Sequence, residues 1–183
     1  PIVRRYCTFN IPGVSKSLAS KYGAEMASIV EFLSRDTDSE TRWNLAAGIH
    51  ETASILATRT TIDNLFKSVS TLLQDENPLV RMNTLEHFYP LLQSLTRESE
   101  SGSMRKLAPV FQNLTLLSEG NWRTQELLAK QLEKAASLVL ADTLRSNVLP
   151  LLYQMSEEST YLVRKATMPA IAKALWCIPV PQE

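Results

Sequence analysis

Residues 74–95, QDENPLVRMNTLEHFYPLLQSL, decide the fold. The opening Gln74-Asp75-Glu76-Asn77 is a polar, acidic turn. Asp and Asn in such a turn can cap the following helix and favour its positive end. Leu85, Phe88, Leu92 and Leu95 follow at steps of three and four, one stripe of an amphipathic helix. Ahead of the turn, Leu65 to Leu73 is a shorter apolar helix. The unit is therefore helix, acidic turn, helix, with Arg81 just inside the second helix.

The same order recurs along the chain. First helices are expected over Met26–Leu33, Leu65–Leu73, Leu107–Leu117 and Leu144–Met155. Each leads into a polar turn: 34–38, 74–77, 118–121 and 156–160. Second-helix stripes are Leu45, Ile49, Ala53, Leu56; Leu85, Phe88, Leu92, Leu95; Leu128, Leu132, Ala135, Val139; and Val163, Ala166, Ala170, Leu175. An extra stripe, Val3, Cys7, Ile11, Val14 and Leu18, precedes them all. Arg4, Arg42, Arg81, Arg123 and Arg164 recur at spacings of 38, 39, 42 and 41 residues. No stretch of six alternates apolar with polar as a half-buried strand would. The expected class is all-α. A two-helix period near 40 residues resembles HEAT and armadillo arrays, whose units bury their inner faces by stacking into a right-handed superhelix.

The domain reading is one HEAT-repeat segment over 1–183. It has an unpaired second helix at 1–20 and helix pairs at about 21–58, 59–97, 103–139 and 141–178. A start at Pro1, an unpaired second helix and an apolar finish at Ala174-Leu175-Trp176-Cys177-Ile178 predict a piece of a longer solenoid. The end surface is expected to contact further repeats or another copy. Thr96–Ser103 is read as a loop between units.

Composition excludes several functions. With Lys+Arg 19 against Asp+Glu 19, the chain lacks the positive footprint of a nucleic-acid binder. Five glycines in 183 residues argue against turn-dense β folds and phosphate-cradling loops. No apolar run is long enough to span a bilayer, and no signal-peptide pattern opens the chain. Cys7 and Cys177 form no disulfide framework, which points to a reducing compartment, cytoplasm or nucleus. GxxxxGK, GxGxxG, HExxH, CxxC and GxSxG are missing, so no cofactor, metal, small-molecule substrate or catalytic residue is assigned. His50-Glu51 and Glu86-His87 are sequence neighbours, which point apart on a helix. They are read as packing or surface residues. Asn113-Leu114-Thr115 matches a glycosylation sequon but lies in an apolar helix, and it is discounted.

Two features remain as candidate sites. The five arginines are read as a structural ladder, each guanidinium reaching the acidic turn of a neighbouring repeat. Trp43 and Trp122 stand beside Arg42 and Arg123 at turns. They serve either as contacts on a binding ridge or as lids over their own turns.

Glu40-Thr41-Arg42-Trp43-Asn44-Leu45-Ala46-Ala47-Gly48-Ile49-His50-Glu51 and Asn121-Trp122-Arg123-Thr124-Gln125-Glu126-Leu127-Leu128 resemble HEAT repeats of regulatory and scaffold subunits of Ser/Thr protein phosphatases, types 4 and 2A. That resemblance implies a non-catalytic scaffold whose intra-repeat turns hold a phosphatase catalytic subunit. Trp122 and Arg123 stand at the Trp-Arg position of those turns, with Asn121 before them. Trp43 follows its arginine instead, and Thr124-Gln125 replace a second basic residue. Other expected roles are a HEAT scaffold in nuclear transport, coats or chromatin, and a HEAT-like DNA glycosylase. The glycosylase would need a basic face around a catalytic carboxylate, which a balanced charge count disfavours.

Overall fold

The computed structural model describes residues 1–97, 108–114, 117, 121–158 and 160–179. Its described residues are helices and short connections, with no strand among them, so the chain is all-α. Two compact units make it up, Pro1–Gly102 and Ser103–Glu183.

In the first unit the helices are α1 (Ile2–Phe9), α2 (Ile11–Leu33), α3 (Ser39–Leu56), α4 (Ile62–Leu73), α5 (Pro78–Glu86) and α6 (Phe88–Arg97). Helix α3 is the hub, packing on α1, α2, α4, α5 and α6. Its Leu45, Ile49, Ala53 and Leu56 are buried, as are Leu65, Val69 and Leu72 of α4 and Leu85, Phe88 and Leu92 beyond it. Prolines explain the breaks. Pro12 and Pro90 cannot donate to the carbonyls four residues back, and their rings crowd those carbonyls. The helix accordingly breaks at Asn10 and at His87.

The second unit holds α7 (Ala108–Asn113), α8 (Trp122–Ala135), α9 (Ala141–Thr143), α10 (Leu149–Glu158) and α11 (Tyr161–Trp176). A 3₁₀ turn, Ala136–Leu138, follows α8, and a π-helical segment, Leu144–Val148, joins α9 to α10. Pro150 accounts for the π segment, since its missing donor falls opposite Ser146 within it. Helix α11 packs on α8 and α10, burying Val163, Ala166, Ala170 and Ala174.

The first stripe needs correcting. The expected row Val3, Cys7, Ile11, Val14 and Leu18 is mostly exposed, Val3 by 74%; Ile11 alone is buried. The buried row is Arg4's own, Thr8, Ile11 and Ser15, on the part of the chain that packs against α3. Small hydroxyl side chains can occupy it because they fit against a close neighbour; Thr8 Oγ1 donates back to the Arg4 carbonyl at 2.8 Å. The expected boundary at 20/21 lies inside α2, beside the non-helical backbone of Tyr22 where that helix kinks. Leu175 of the last stripe is also exposed. Thr96 and Arg97 belong to α6; the rest of the expected 96–103 loop, Thr115 of the sequon and turn residues 118–120 fall outside the described residues.

Candidate protein-binding turns

Each turn is built around the N-cap of the helix that follows it. Asp38 caps α3, accepting the Thr41 N–H at 3.1 Å; Asn77 caps α5 through the Leu79 N–H at 3.0 Å. Asn121 caps α8, accepting the N–H groups of Arg123 and Thr124 at 3.0 and 3.1 Å. Thr160 stands at the N-cap of α11. Such caps satisfy amide donors that have no partner inside the helix. Third after the cap come Thr41, Val80, Thr124 and Val163, all buried. The turns are thus in register when counted from their caps.

Two residues ahead of the first two caps stand Asp36 and Asp75, and these gather the arginines. Asp36 accepts Arg4 Nε and Nη2 at 2.7 and 3.2 Å; Asp75 accepts Arg42 Nε and Nη2 at 2.6 and 2.9 Å. In both, Oδ1 also accepts the N–H of the cap residue at 2.9 Å. Both main-chain carbonyls serve as well. Arg42 Nη1 donates to Asp36 O at 2.7 Å, and Arg81 Nη1 to Asp75 O at 2.5 Å and Glu76 O at 3.1 Å. Arg42 therefore bridges two turns, one through a carbonyl and one through a bidentate carboxylate, a geometry its planar fork suits. It is only 7% exposed. Arg5 adds a parallel pair, donating to both oxygens of Asp38 at 2.7 Å and pairing with Glu40.

These contacts set the charge states. The hydrogen bond from Arg4 holds the Asp36 carboxyl below its usual range, and the hydrogen bond from Arg5 does the same to Asp38, against the opposing effect of burial. The carboxylates at the turns are thus engaged internally. The shallow groove they border, about 430 Å³, includes Arg35, Gln74 and the outward-pointing Glu76.

Arg123 stands apart. It lies two residues after its cap, whereas Arg42, Arg81 and Arg164 lie four after theirs; Gln125 occupies the equivalent place in α8. The 42- and 41-residue spacings conceal that shift. Its guanidinium sits over the half-buried Trp122 ring, 4.4 Å from the centroid. Trp122 is first after its cap and Trp43 fifth, so the two tryptophans are not equivalents. Trp43 is partly exposed, and its carbonyl accepts Asn83 Nδ2 at 3.2 Å. Asn44 makes the matching contact to Arg5 O at 3.5 Å. These asparagines went unassigned in the sequence, although each stands two residues after a ladder arginine.

The histidines meet each other, and His50 Nε2 also stands 3.9 Å from Oε1 of Glu51, the neighbour it was expected to point away from. His50 and His87 stack with centroids 4.0 Å apart and planes 10° from parallel. Burial, then the nearby His87, push the His50 imidazole below its ordinary pKa, with Glu51 opposing. Among the described residues no three His, Cys, Asp or Glu side chains are grouped to hold a metal, and Cys7 and Cys177 are free thiols. No helix there is long and apolar enough to cross a membrane.

The arrangement can hold helices in register and offer an aromatic-cationic turn at Asn121-Trp122-Arg123 to a partner. The chain is similar to a phosphatase regulatory subunit. It is 28% identical over 130 residues to "Serine/threonine-protein phosphatase 4 regulatory subunit 1" of Homo sapiens, and equally to those of Mus musculus and Rattus norvegicus. The match takes in 71% of this chain and 13% of each relative, so the chain spans a small part of their length. No protein-family model matches the sequence.

Proposed function

We propose that this chain is a HEAT-type, non-catalytic scaffold segment of a Ser/Thr protein phosphatase regulatory subunit of the phosphatase 4 and 2A kind. It binds the catalytic subunit, or substrates brought to it, through its intra-pair turns. The similarity to phosphatase 4 regulatory subunit 1 carries the reading. The turn geometry supports it. Asn121 fixes the start of α8, and Arg123 stacked on Trp122 makes a preorganised aromatic-cationic contact of the type enriched at interface hot spots. Trp43 adds a partly exposed aromatic at another turn. The scaffold raises local concentration by holding enzyme and substrate together, and the chemistry is the partner's.

The test is capture of purified phosphatase 4 catalytic subunit by the folded chain. Trp122→Ala is expected to weaken capture by roughly 30-fold, the loss of one hot spot, while helicity and melting stay close to wild type. A well-folded wild-type chain that captures no catalytic subunit would overturn the reading.

A further inference from the structure

The chain holds two histidines, and the fold brings both to one place. His50 lies in the hub helix α3. His87 ends α5 with a non-helical backbone, φ −106° and ψ 14°, and its carbonyl accepts the Leu91 N–H at 3.0 Å in the first turn of α6. His87 is therefore the pivot of the α5–α6 elbow, and both arms of that elbow pack on α3. The two rings stack there half-buried, 4.0 Å apart. His50 Nδ1 is buried with no hydrogen bond of good geometry, and Nε2 is 3.9 Å from Glu51, beyond hydrogen-bond reach. A neutral imidazole tolerates this, with one nitrogen an idle acceptor. An imidazolium has two N–H donors, and the one at Nδ1 would be buried and poorly satisfied.

We propose that the His50–His87 stack is a proton-operated latch, which holds the α5–α6 elbow on α3 while the rings are neutral and releases it when both take up protons. Two imidazolium rings at stacking distance are like charges side by side, each disfavouring the other's proton. The elbow is the part that yields, because His87 belongs to its pivot while His50 is fixed inside the hub helix. Around the pair, Glu51 of α3 and Glu86 of α5 are exposed acids whose pull on a proton is screened by water. Arg97 of α6 adds a cation one turn along α3, donating to Ser54 O at 3.5 Å. Arg4 and Arg5 of α1 are taken by Asp36 and Asp38, and Glu31 of α2 draws Arg35 and Lys67 of α4. Burial first, then His87, lower the His50 pKa, and Glu51 and the Ala47 carbonyl oppose them less strongly. A released ring binds its proton near the ordinary value of 6.5, so the latch contributes fully above that pH and is lost as pH falls below it. The carboxylates of the turns titrate lower, which leaves this window to the histidines. The inference is independent of the phosphatase reading.

The test is amide hydrogen exchange of the full chain at about pH 7.5 and about pH 5.5, read by mass spectrometry and corrected for the intrinsic pH dependence of exchange. Residues 86–97 are expected to open about tenfold more at the lower pH, the factor for one proton excluded from the closed elbow over one pH unit. Tyr161–Trp176 of the second unit should not change. His87→Phe keeps an aromatic ring on His50 and cannot take a charge, so its elbow should be equally protected at both pH values. A second measurement needs no variant. Titration of the ring protons of the wild-type chain by NMR should show two separated steps, one histidine charging well after the other. Equal protection of the wild-type elbow at both pH values would overturn the proposal, as would two rings titrating together at the ordinary value. Opening that persists in folded His87→Phe, or that spreads evenly over α1 to α6, would also overturn it.

Discussion

The turns that lead into α3 and α8 each set an arginine beside a tryptophan, Arg42-Trp43 and Trp122-Arg123, with a different physics. In the first, a buried arginine is fixed by a carbonyl behind it and a carboxylate ahead of it, so the side chain is part of the packing. In the second, the arginine starts two positions closer to the cap and lies on a neighbouring indole at the surface. A shift of two residues on a helix turns a side chain by about 200°. The shift moves the cation from the face that packs to the face that meets solvent. Helix register, more than residue type, separates an arginine held in the packing from one that faces solvent.

The comparison breaks if both arginines behave alike on removal. Arg42→Ala leaves Asp75 buried without its bidentate partner, and stripping one side of a buried pair costs about 3–5 kcal/mol. For a chain of this size that lowers the melting temperature by about 10 °C. Thermal melts followed by fluorescence of Trp43 in the first unit and Trp122 in the second would place the loss. A first-unit transition unmoved by Arg42→Ala would refute the structural role.

Acid sharpens the same contrast. Asp36 and Asp38 are held below the usual carboxylate range by Arg4 and Arg5, so the folded chain binds protons there less readily than the unfolded chain. The stability this contributes is complete above the unfolded pKa of about 4 and is lost as pH falls below it. Urea titrations between pH 6 and pH 2 (both about) should show the first unit weakening on acidification, with the slope reduced in Asp36→Asn. A slope equal to wild type would mean that Arg4 does not hold the Asp36 carboxylate in solution. Arg4→Ala itself should cost less than Arg42→Ala, because Arg4 is partly exposed, and that loss should shrink in high salt.

Much of this was legible in sequence. The helical period and the acidic turns gave the helix class and most second-helix stripes, because apolar spacing reports burial directly. The arginine recurrence pointed to residues that do meet acidic turns at Arg4 and Arg42. Three things were not legible. At the first helix, period alone chose the more apolar row, Val3, Cys7 and Val14, over the buried row of Thr8, Ile11 and Ser15, since small hydroxyl residues fill close contacts without looking hydrophobic. The Arg123 shift does not show in arginine-to-arginine spacings; it shows only from the caps, whose positions the folded turns fix. The His50–His87 stack joins residues 37 apart through packing of α3 on its neighbours, which no local pattern encodes.

The smallest expected effects belong to the second turn. Asn121→Ala removes a cap that accepts two N–H groups and should cost about 1 kcal/mol. Arg123→Ala should cost less, about 0.5 kcal/mol, the worth of an exposed cation over a half-buried ring. Its effect on capture of the phosphatase catalytic subunit should be far larger than its effect on melting, the reverse of Arg42→Ala measured against Arg42→Lys. Arg123→Lys separates two versions of the idea. If positive charge over Trp122 is what a partner meets, lysine restores much of the binding; if the planar fork makes paired hydrogen bonds, lysine behaves like alanine. A melting loss at Arg123 equal to that at Arg42 would put this arginine back among the structural ones, despite its place in the helix.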